Sequence, residues 1–426
     1  MPLSRKLRYL AQANRFQWKS LEEIRAVQYQ KLRATLEHAE AEVPLYRERF
    51  KEAGVKASDL RSLEDLQHFP MVKREEIIAA YPEGCLSRKP TDRDTVFRTS
   101  GTSGAFMSIA YSEDGHDFLD AIYARSLFST GYRPWDRIAY YWWENKKTRF
   151  YEYFGLMRKH FFKVGPDPRV HLKELQELQP RVIYNFPSLM LMIARLVERE
   201  GFGGLRPEII ICHGELMPRE TQDEIARIFQ CPVWNQYGSQ EFNRMGWNCG
   251  ETQSLHMDAD SVVIEVLHGD TPAPPGEEGD LVVTGLANTL MPLIRYRIGD
   301  MGRLIEEPCT CGRGLPLFEV TEGRRDDLIQ LPNGNTIGPR AIAPRVEDLH
   351  GFNQYRIIQD KLDHLQVSLV LDEEAQEDTT QQVEAVLREL MGEEMKITLQ
   401  TVDEISLSSR GKLRKVVSEI GKSATA

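Results

Sequence analysis

Apolar residues recur at helical intervals early in the chain. Leu21, Ile24, Leu32, Leu36 and Ala39 are separated by Glu, Arg and Lys, a spacing that predicts an amphipathic helix. Pro44 ends that pattern, and Pro70 and Pro82 punctuate the segment after it, so residues 1–90 read as a helical lead-in. From residue 95 to 300, strand-like and helix-like segments alternate. β-rich runs include Ile209-Ile210-Ile211, Val262-Val263-Ile264 and Leu281-Val282-Val283, and helical stretches cover 188–199 and 219–229. This alternation predicts an α/β fold with a substantially parallel sheet. Residues 268–279 hold three of the 22 prolines and read as a surface turn. After residue 325 a strand from Gln366 to Val370 precedes a helix with Val383, Val386, Leu387 and Leu390 on one face. A strand from Lys396 to Leu399 comes next. The expected division is a body over 1–325 and a small α+β domain over 326–426.

Composition narrows the classes. The chain has 426 residues, is 41% hydrophobic and 28% charged, and carries a formal net charge of -10. It can bury a core of two or three domains, and it lacks the overall basic footprint of a nucleic-acid binder. No apolar run approaches the ~20 residues that span a bilayer. The first twenty residues lack the apolar stretch of a secretory signal. Six cysteines at 85, 212, 231, 249, 309 and 311 are too few for a disulfide framework in so long a chain. Together these features lead us to expect a cytoplasmic protein without a membrane span.

The candidate chemistry begins at Thr99-Ser100-Gly101-Thr102-Ser103-Gly104. Two glycines three apart allow tight turns in which backbone N–H groups converge on an anion. The hexapeptide is neither a Walker A loop nor a dinucleotide fingerprint, and alone it reads equally as a plain loop. Four further stretches occur in order: Asn235-Gln236-Tyr237-Gly238-Ser239-Gln240-Glu241, Tyr296-Arg297-Ile298-Gly299-Asp300, Gly323-Arg324-Arg325-Asp326-Asp327, and Ser408-Ser409-Arg410-Gly411-Lys412. In isolation Gly299-Asp300 is an ordinary turn, Arg324 with Asp326 a surface ion pair, and Lys412 a solvated lysine.

As an ordered set, these stretches resemble the AMP-forming adenylate-forming enzymes. Within them the chain is similar to the phenylacetate–CoA ligase family, many of whose members carry a capsular polysaccharide biosynthesis label. The N-terminal stretches Val43-Pro44-Leu45-Tyr46-Arg47 and Ser62-Leu63-Glu64-Asp65-Leu66, with the Lys73 region, extend the resemblance over nearly the whole chain. It implies an α/β fold: a large adenylate-forming body with mixed β-sheets and flanking helices, plus a small mobile C-terminal domain. It also implies attack of a carboxylate on the α-phosphate of ATP, release of pyrophosphate, and transfer of the acyl group to coenzyme A. Fixed donors and cations must then meet the charge that builds on phosphorus.

By this resemblance the Thr99–Gly104 loop holds the β- and γ-phosphates, and Thr102 and Glu241 support Mg²⁺, a hard cation that prefers oxygen. Gly214-Glu215 line the adenine, Tyr237 stacks on it, and Asn235 and Gly238 flank it. Asp300 accepts the ribose hydroxyls, Arg324 reaches ribose or phosphate, Lys412 stabilises the transition state, and Asp326 is the hinge. One departure stands out: Ala105-Phe106 succeed the loop where the family usually continues with Lys-Pro. Slower adenylation, an altered nucleotide geometry and replacement by a basic residue elsewhere are the alternatives, with Arg98 the nearby candidate. The resemblance further implies a homodimer, for which the N-terminal helices are a candidate interface.

Cys249, His256, Cys309 and Cys311 form a complete donor set for tetrahedral zinc. Their spacing is not a CxxC knuckle, and on spacing alone they read equally as one core thiol and two loop thiols. The resemblance, whose members carry a Cys and a His after the Tyr-Gly motif and a later Cys-x-Cys-Gly-Arg segment, implies a structural Zn²⁺ site. Ten aromatics crowd residues 140–162, with lysines and arginines between them. They read either as a core helix with a solvated basic face or as an aromatic wall for an aryl or hydrophobic acid. In the second reading Tyr141, Trp142, Tyr184, Pro187 and Ser188 line the acyl pocket. Two other functions compete with the coenzyme A ligase: adenylation with transfer to an amine or hydroxyl, and a scaffold that keeps the fold without catalysis.

Overall fold

The computed structural model describes residues 2–100, 106–142, 150–164, 168–322, 329–332, 336–337, 342, 345–346, 349–373, 375–406 and 415–420. Gly101, Thr102, Ser103, Gly104, Arg324, Asp326 and Lys412 lie outside the described residues, as do the side chains of Arg98, Thr99 and Ser100. The chain divides into two units, 1–131 with 236–321 and 132–235 with 322–426. No helix among the described residues is long and apolar enough to cross a membrane.

The first unit opens with the expected helices, Pro2–Phe16, Leu21–Glu42 and Pro44–Ala53. Ser20 starts the second with a capping box: its hydroxyl accepts from the Glu23 N–H at 3.2 Å, and Glu23 returns the bond to the Ser20 N–H at 3.0 Å. Two orphan donors are thereby satisfied. The helix buries Ile24, Leu32, Leu36 and Ala39, each large side chain contributing roughly 1.5–3 kcal/mol. Pro44 ends one helix and begins the next, where its missing N–H costs nothing. The hairpin Thr95–Ser100 with Phe106–Tyr111 comes next, then the helix Glu113–Phe128.

The remaining strands of this unit are antiparallel rather than parallel. Val262–His268, Gly279–Gly285 and Tyr296–Ile305 pair in succession, and Asn243–Cys249 pairs with both Val233–Ser239 and Thr252–Met257. The reason is connection length. Connections of two to ten residues separate these strands, and a parallel crossover needs a dozen residues or more. Arg125 of the Glu113–Phe128 helix is fully buried and bridges Asp258 and Asp260. Trp247 Nε1 also donates to Asp258, at 3.1 Å, so the charge is paired and hydrogen-bonded as burial demands.

The second unit carries the parallel sheet that the alternation predicted. Lys159–Lys163, Ile138–Trp142, Val182–Asn185 and Ile209–His213 lie side by side in that order, all parallel. Helices Pro168–Leu178 and Pro187–Glu200 supply the crossovers, and Arg219–Phe229 succeeds the last of these strands. Val182–Asn185 and Ile209–His213 are buried throughout, as two covered faces require. In the C-terminal segment of this unit, Lys396–Thr401, His364–Leu371, Phe352–Lys361 and Val416–Ser418 form a four-stranded sheet. The helix Thr379–Met391 buries Val383 and Leu387.

Candidate functional site

In the first unit, the ladder between Gly279–Gly285 and Tyr296–Ile305 is interrupted. Asp280 pairs with Met301 and Val282 with Arg297, so Leu281 alone faces Ile298, Gly299 and Asp300. Gly299 adopts φ +87°, a left-handed conformation that a side chain would strain. The bulge re-aims Asp300 out of the ladder, a common use of bulges beside functional sites. The Tyr237 hydroxyl donates to Asp300 Oδ2 at 2.6 Å. Two residues expected to bind one nucleoside are therefore in direct contact.

Glu241 sits in the tight turn between Val233–Ser239 and Asn243–Cys249. The Tyr111 hydroxyl donates to the Gln240 carbonyl at 2.7 Å and so ties this turn to the Phe106–Tyr111 strand. Around the Glu241 carboxylate stand the Tyr296 hydroxyl at 3.5 Å and the Arg74 guanidinium at 3.6 Å. Burial, with the charge of Glu241 adding, pushes the Tyr111 hydroxyl well above its ordinary pKa, which keeps it a neutral donor. Arg74 and Tyr111 were not singled out in the sequence, and Tyr296 entered only as the first residue of the Asp300 stretch, because each meets Glu241 only through long-range pairing.

The four proposed metal ligands converge in the same unit. Their donor atoms all lie within 4.8 Å of one another. Cys249 and Cys309 sulfurs are 3.5 Å apart, and Cys311 Sγ is 3.5 Å from His256 Nε2. A tetrahedron with Zn–S bonds of about 2.3 Å places its sulfurs about 3.8 Å apart, so the set fits zinc. Burial, aided by Arg313, pushes His256 down to about 4 and so leaves the imidazole neutral, the form that ligates. Burial pushes the Cys309 thiol up to about 12. For Cys311 burial also acts upward, but the Arg313 backbone and side chain bring it below the ordinary thiol value.

The segment after Cys311 docks on the turn between the first two helices. Arg313 Nε donates to Gln17 Oε1 at 2.9 Å, and its guanidinium stands over Trp18 at 4.6 Å and Trp247 at 5.1 Å. A Cβ on Gly314 would meet the Lys19 carbonyl oxygen at 2.0 Å, so only glycine allows this approach. Cys85 and Cys212 are buried and Cys231 is half-buried; all three are free thiols.

In the second unit, strand alternation sorts the aromatics. Tyr140 and Trp142 share one face, where Tyr140 stacks on Tyr184 with centroids 4.4 Å apart. His213 joins them, 4.3 Å from Tyr184, 4.8 Å from Phe186 and 5.4 Å from Trp142. Tyr141 points the other way: it is buried in the core and its hydroxyl donates to the His171 carbonyl at 3.3 Å. The structure thus brings Trp142 and Tyr184 together and separates Tyr141 from them. The core-helix alternative for 140–162 is also replaced, because the described parts are two strands and a short 3₁₀ turn at Phe150–Phe154.

Pro187 and Ser188 open the Pro187–Glu200 helix, and the Ser188 N–H donates to Glu215 Oε2 at 3.0 Å. Glu215 therefore caps that helix and complements its dipole. Asn235 and Gly238 lie within the Val233–Ser239 strand. His213 was missed in the sequence, although its place between a buried Ile-rich run and Gly214-Glu215 was a usable signal.

The chain is similar to known proteins over most of its length. Residues 329–419 match the family described as the CapK C-terminal domain. The chain is 26% identical to a phenylacetate-coenzyme A ligase of Pseudomonas putida over 418 residues, covering 93% of this chain and 92% of that one. It is 28% identical to the enzyme of the same name from Escherichia coli K12, covering 81% of each. Among solved structures, a 2-hydroxyisobutyryl-CoA ligase in its postadenylation state superposes with a TM-score of 0.76. It is 21% identical, over 95% of this chain and 92% of that one. An anthranilate CoA ligase bound to anthranoyl-AMP gives a TM-score of 0.55 at 13% identity, over 75% of this chain and 65% of that one. The fold is that of these CoA ligases. Over most of its length the chain is similar to the phenylacetate–CoA ligases, and residues 329–419 to the CapK C-terminal domain.

Proposed function

We propose that this protein activates a carboxylic acid with ATP to an acyl-adenylate, releasing pyrophosphate, and then transfers the acyl group to coenzyme A. The observation that carries the reading is the Tyr237–Asp300 contact, displayed by a bulge on the strand next to Gly279–Gly285. A carboxylate on such a bulge offers two oxygens to a vicinal diol, and the Tyr237 ring offers a stacking face to a base. The names of the relatives, phenylacetate-coenzyme A ligases, support the same reaction.

In this reading Thr99–Gly104 hold the β- and γ-phosphates, and Asn235, Gly238, Gly214 and Glu215 line the adenine. Arg324 reaches the ribose or phosphate. Lys412 meets the transition-state charge from a mobile small domain over 326–426, with Asp326 as its hinge. Glu241 and Thr102 would hold Mg²⁺, whose oxygen preference the Glu241 carboxylate satisfies. When bound, that cation would neutralise phosphate charge. Cys249, His256, Cys309 and Cys311 would hold a zinc ion that has no open position and so serves structure.

The acid is aryl or hydrophobic. The ring cluster of Tyr140, Trp142, Tyr184, Phe186 and His213 favours this choice, since aromatic pairs gain from offset and edge contacts beyond area burial. Product mass with and without coenzyme A tests the acceptor. A thioester that forms only with coenzyme A is expected, whereas an amide or ester formed on another acceptor would overturn that part. Lys412→Ala is expected to lose adenylation by roughly a hundredfold or more with the fold intact, because a group that meets only the transition state is worth several kcal/mol.

A further inference from the structure

We propose that Arg74 binds the β- and γ-phosphates of ATP and meets the charge on departing pyrophosphate. The inference rests on the nucleotide reading above and adds a residue to it. Arg74 opens the Arg74–Ala80 helix, at the end of the helical lead-in. Its place is fixed by backbone pairing. The Val72 N–H donates to the Arg295 carbonyl at 3.0 Å, and the Arg297 N–H donates to the Val72 carbonyl at 3.0 Å. The lead-in therefore adds a parallel bridge at Tyr296, on the strand that carries Asp300. Lys73 N–H also donates to Glu76 at 2.7 Å, which secures the start of the helix.

This pairing delivers the Arg74 guanidinium to 3.6 Å from Glu241 Oε1. Both side chains are largely shielded, at 18% and 9% exposure, so the charge acts in a medium where screening is weak. Were Glu241 to hold Mg²⁺, phosphate oxygens sharing that cation would come close to the guanidinium that stands 3.6 Å from Glu241 Oε1. Arginine suits the task, because its planar donor fork matches phosphate oxygens.

In the reaction, an oxygen of the acid forms a bond to the α-phosphorus. The bond from that phosphorus to the bridging oxygen breaks, and its electron pair leaves with pyrophosphate. Arg74 stands where that charge accumulates. The sequence places no lysine at 105 or 106, and in this proposal Arg74 supplies a cation from outside the loop.

The test is equilibrium binding of Mg²⁺-ATP and of AMP, without acid, to the full chain and to Arg74→Ala and Arg74→Lys. Arg74→Ala is expected to weaken ATP binding about tenfold, the loss of one charge-assisted contact, and to leave AMP binding unchanged. Arg74→Lys is expected to recover part of the loss. Unchanged ATP binding, or equal weakening of ATP and AMP, overturns the proposal, the latter because it marks a purely structural role. A wild-type chain that binds neither nucleotide refutes the nucleotide reading instead. If Arg74→Ala melts early, the ratio of ATP to AMP affinity in Arg74→Lys and Arg74→Gln decides the question, and an unchanged ratio in both overturns it.

Discussion

The hydroxyl of Tyr237 donates a hydrogen bond to Asp300 Oδ2 at 2.6 Å. The tyrosine thereby orients the carboxylate expected to take the ribose, in addition to offering its ring. A hydrogen bond to a charged group is worth about 1.5–3 kcal/mol. Tyr237→Phe keeps the ring and removes the donor. It is expected to raise the KM for ATP by about tenfold, the equivalent of about 1.4 kcal/mol. An unaltered KM would show that Asp300 needs no such support.

The Cys/His cluster makes a second prediction. Purified protein is expected to contain about one zinc per chain, and Cys309→Ser to lose it and melt at lower temperature, since structural zinc contributes folding energy directly. The segment that carries Arg313 and Gly314 onto the Gln17–Ser20 turn is expected to lose protection from proteolysis in the same variant. Zinc-free wild-type protein with an unchanged melting temperature would contradict this role.

A third prediction concerns pH. Arg88 donates to Asp94 at 2.7 and 3.0 Å, and the N–H groups of Thr91 and Glu113 donate at 2.7 and 3.2 Å. The Arg88 guanidinium first, then these backbone donors, hold the Asp94 carboxyl well below the usual carboxylate range. A depressed folded-state value stabilises the protein above the unfolded pKa of about 4, and that stability is lost as pH falls through the folded value. Asp94→Asn is expected to cost about 2 kcal/mol at neutral pH, and the gap from wild type should narrow on acidification below pH 4. A constant gap across that range would assign the loss to packing instead.

Legibility in the sequence tracked the range of the interactions. The Leu21–Glu42 helix and the strands at Ile209 and Val262 were readable because period and capping are local. The parallel expectation held for 132–235, where helices separate the strands, and failed after Asn243, where short connections enforce antiparallel pairing. Gly299-Asp300 looked like a simple turn; the bulge that displays it depends on Leu281, which the local pattern does not reveal. Tyr141 and Trp142 are adjacent, and only the strand assignment places them on opposite faces. The cysteines lie up to 62 residues apart in sequence, and their spacing alone left a core-and-loop reading open. Arg74 and Glu241 meet through pairing of the lead-in with the Tyr296 strand, which no local window contains.

The central claim is acid-dependent adenylation. Its most direct test is ATP–pyrophosphate exchange by the purified chain across a panel of aryl, fatty and amino acids. Exchange is expected with an aryl or hydrophobic acid, and none in its absence. No exchange with any acid in the panel would contradict the account and favour a scaffold that keeps the fold without the chemistry.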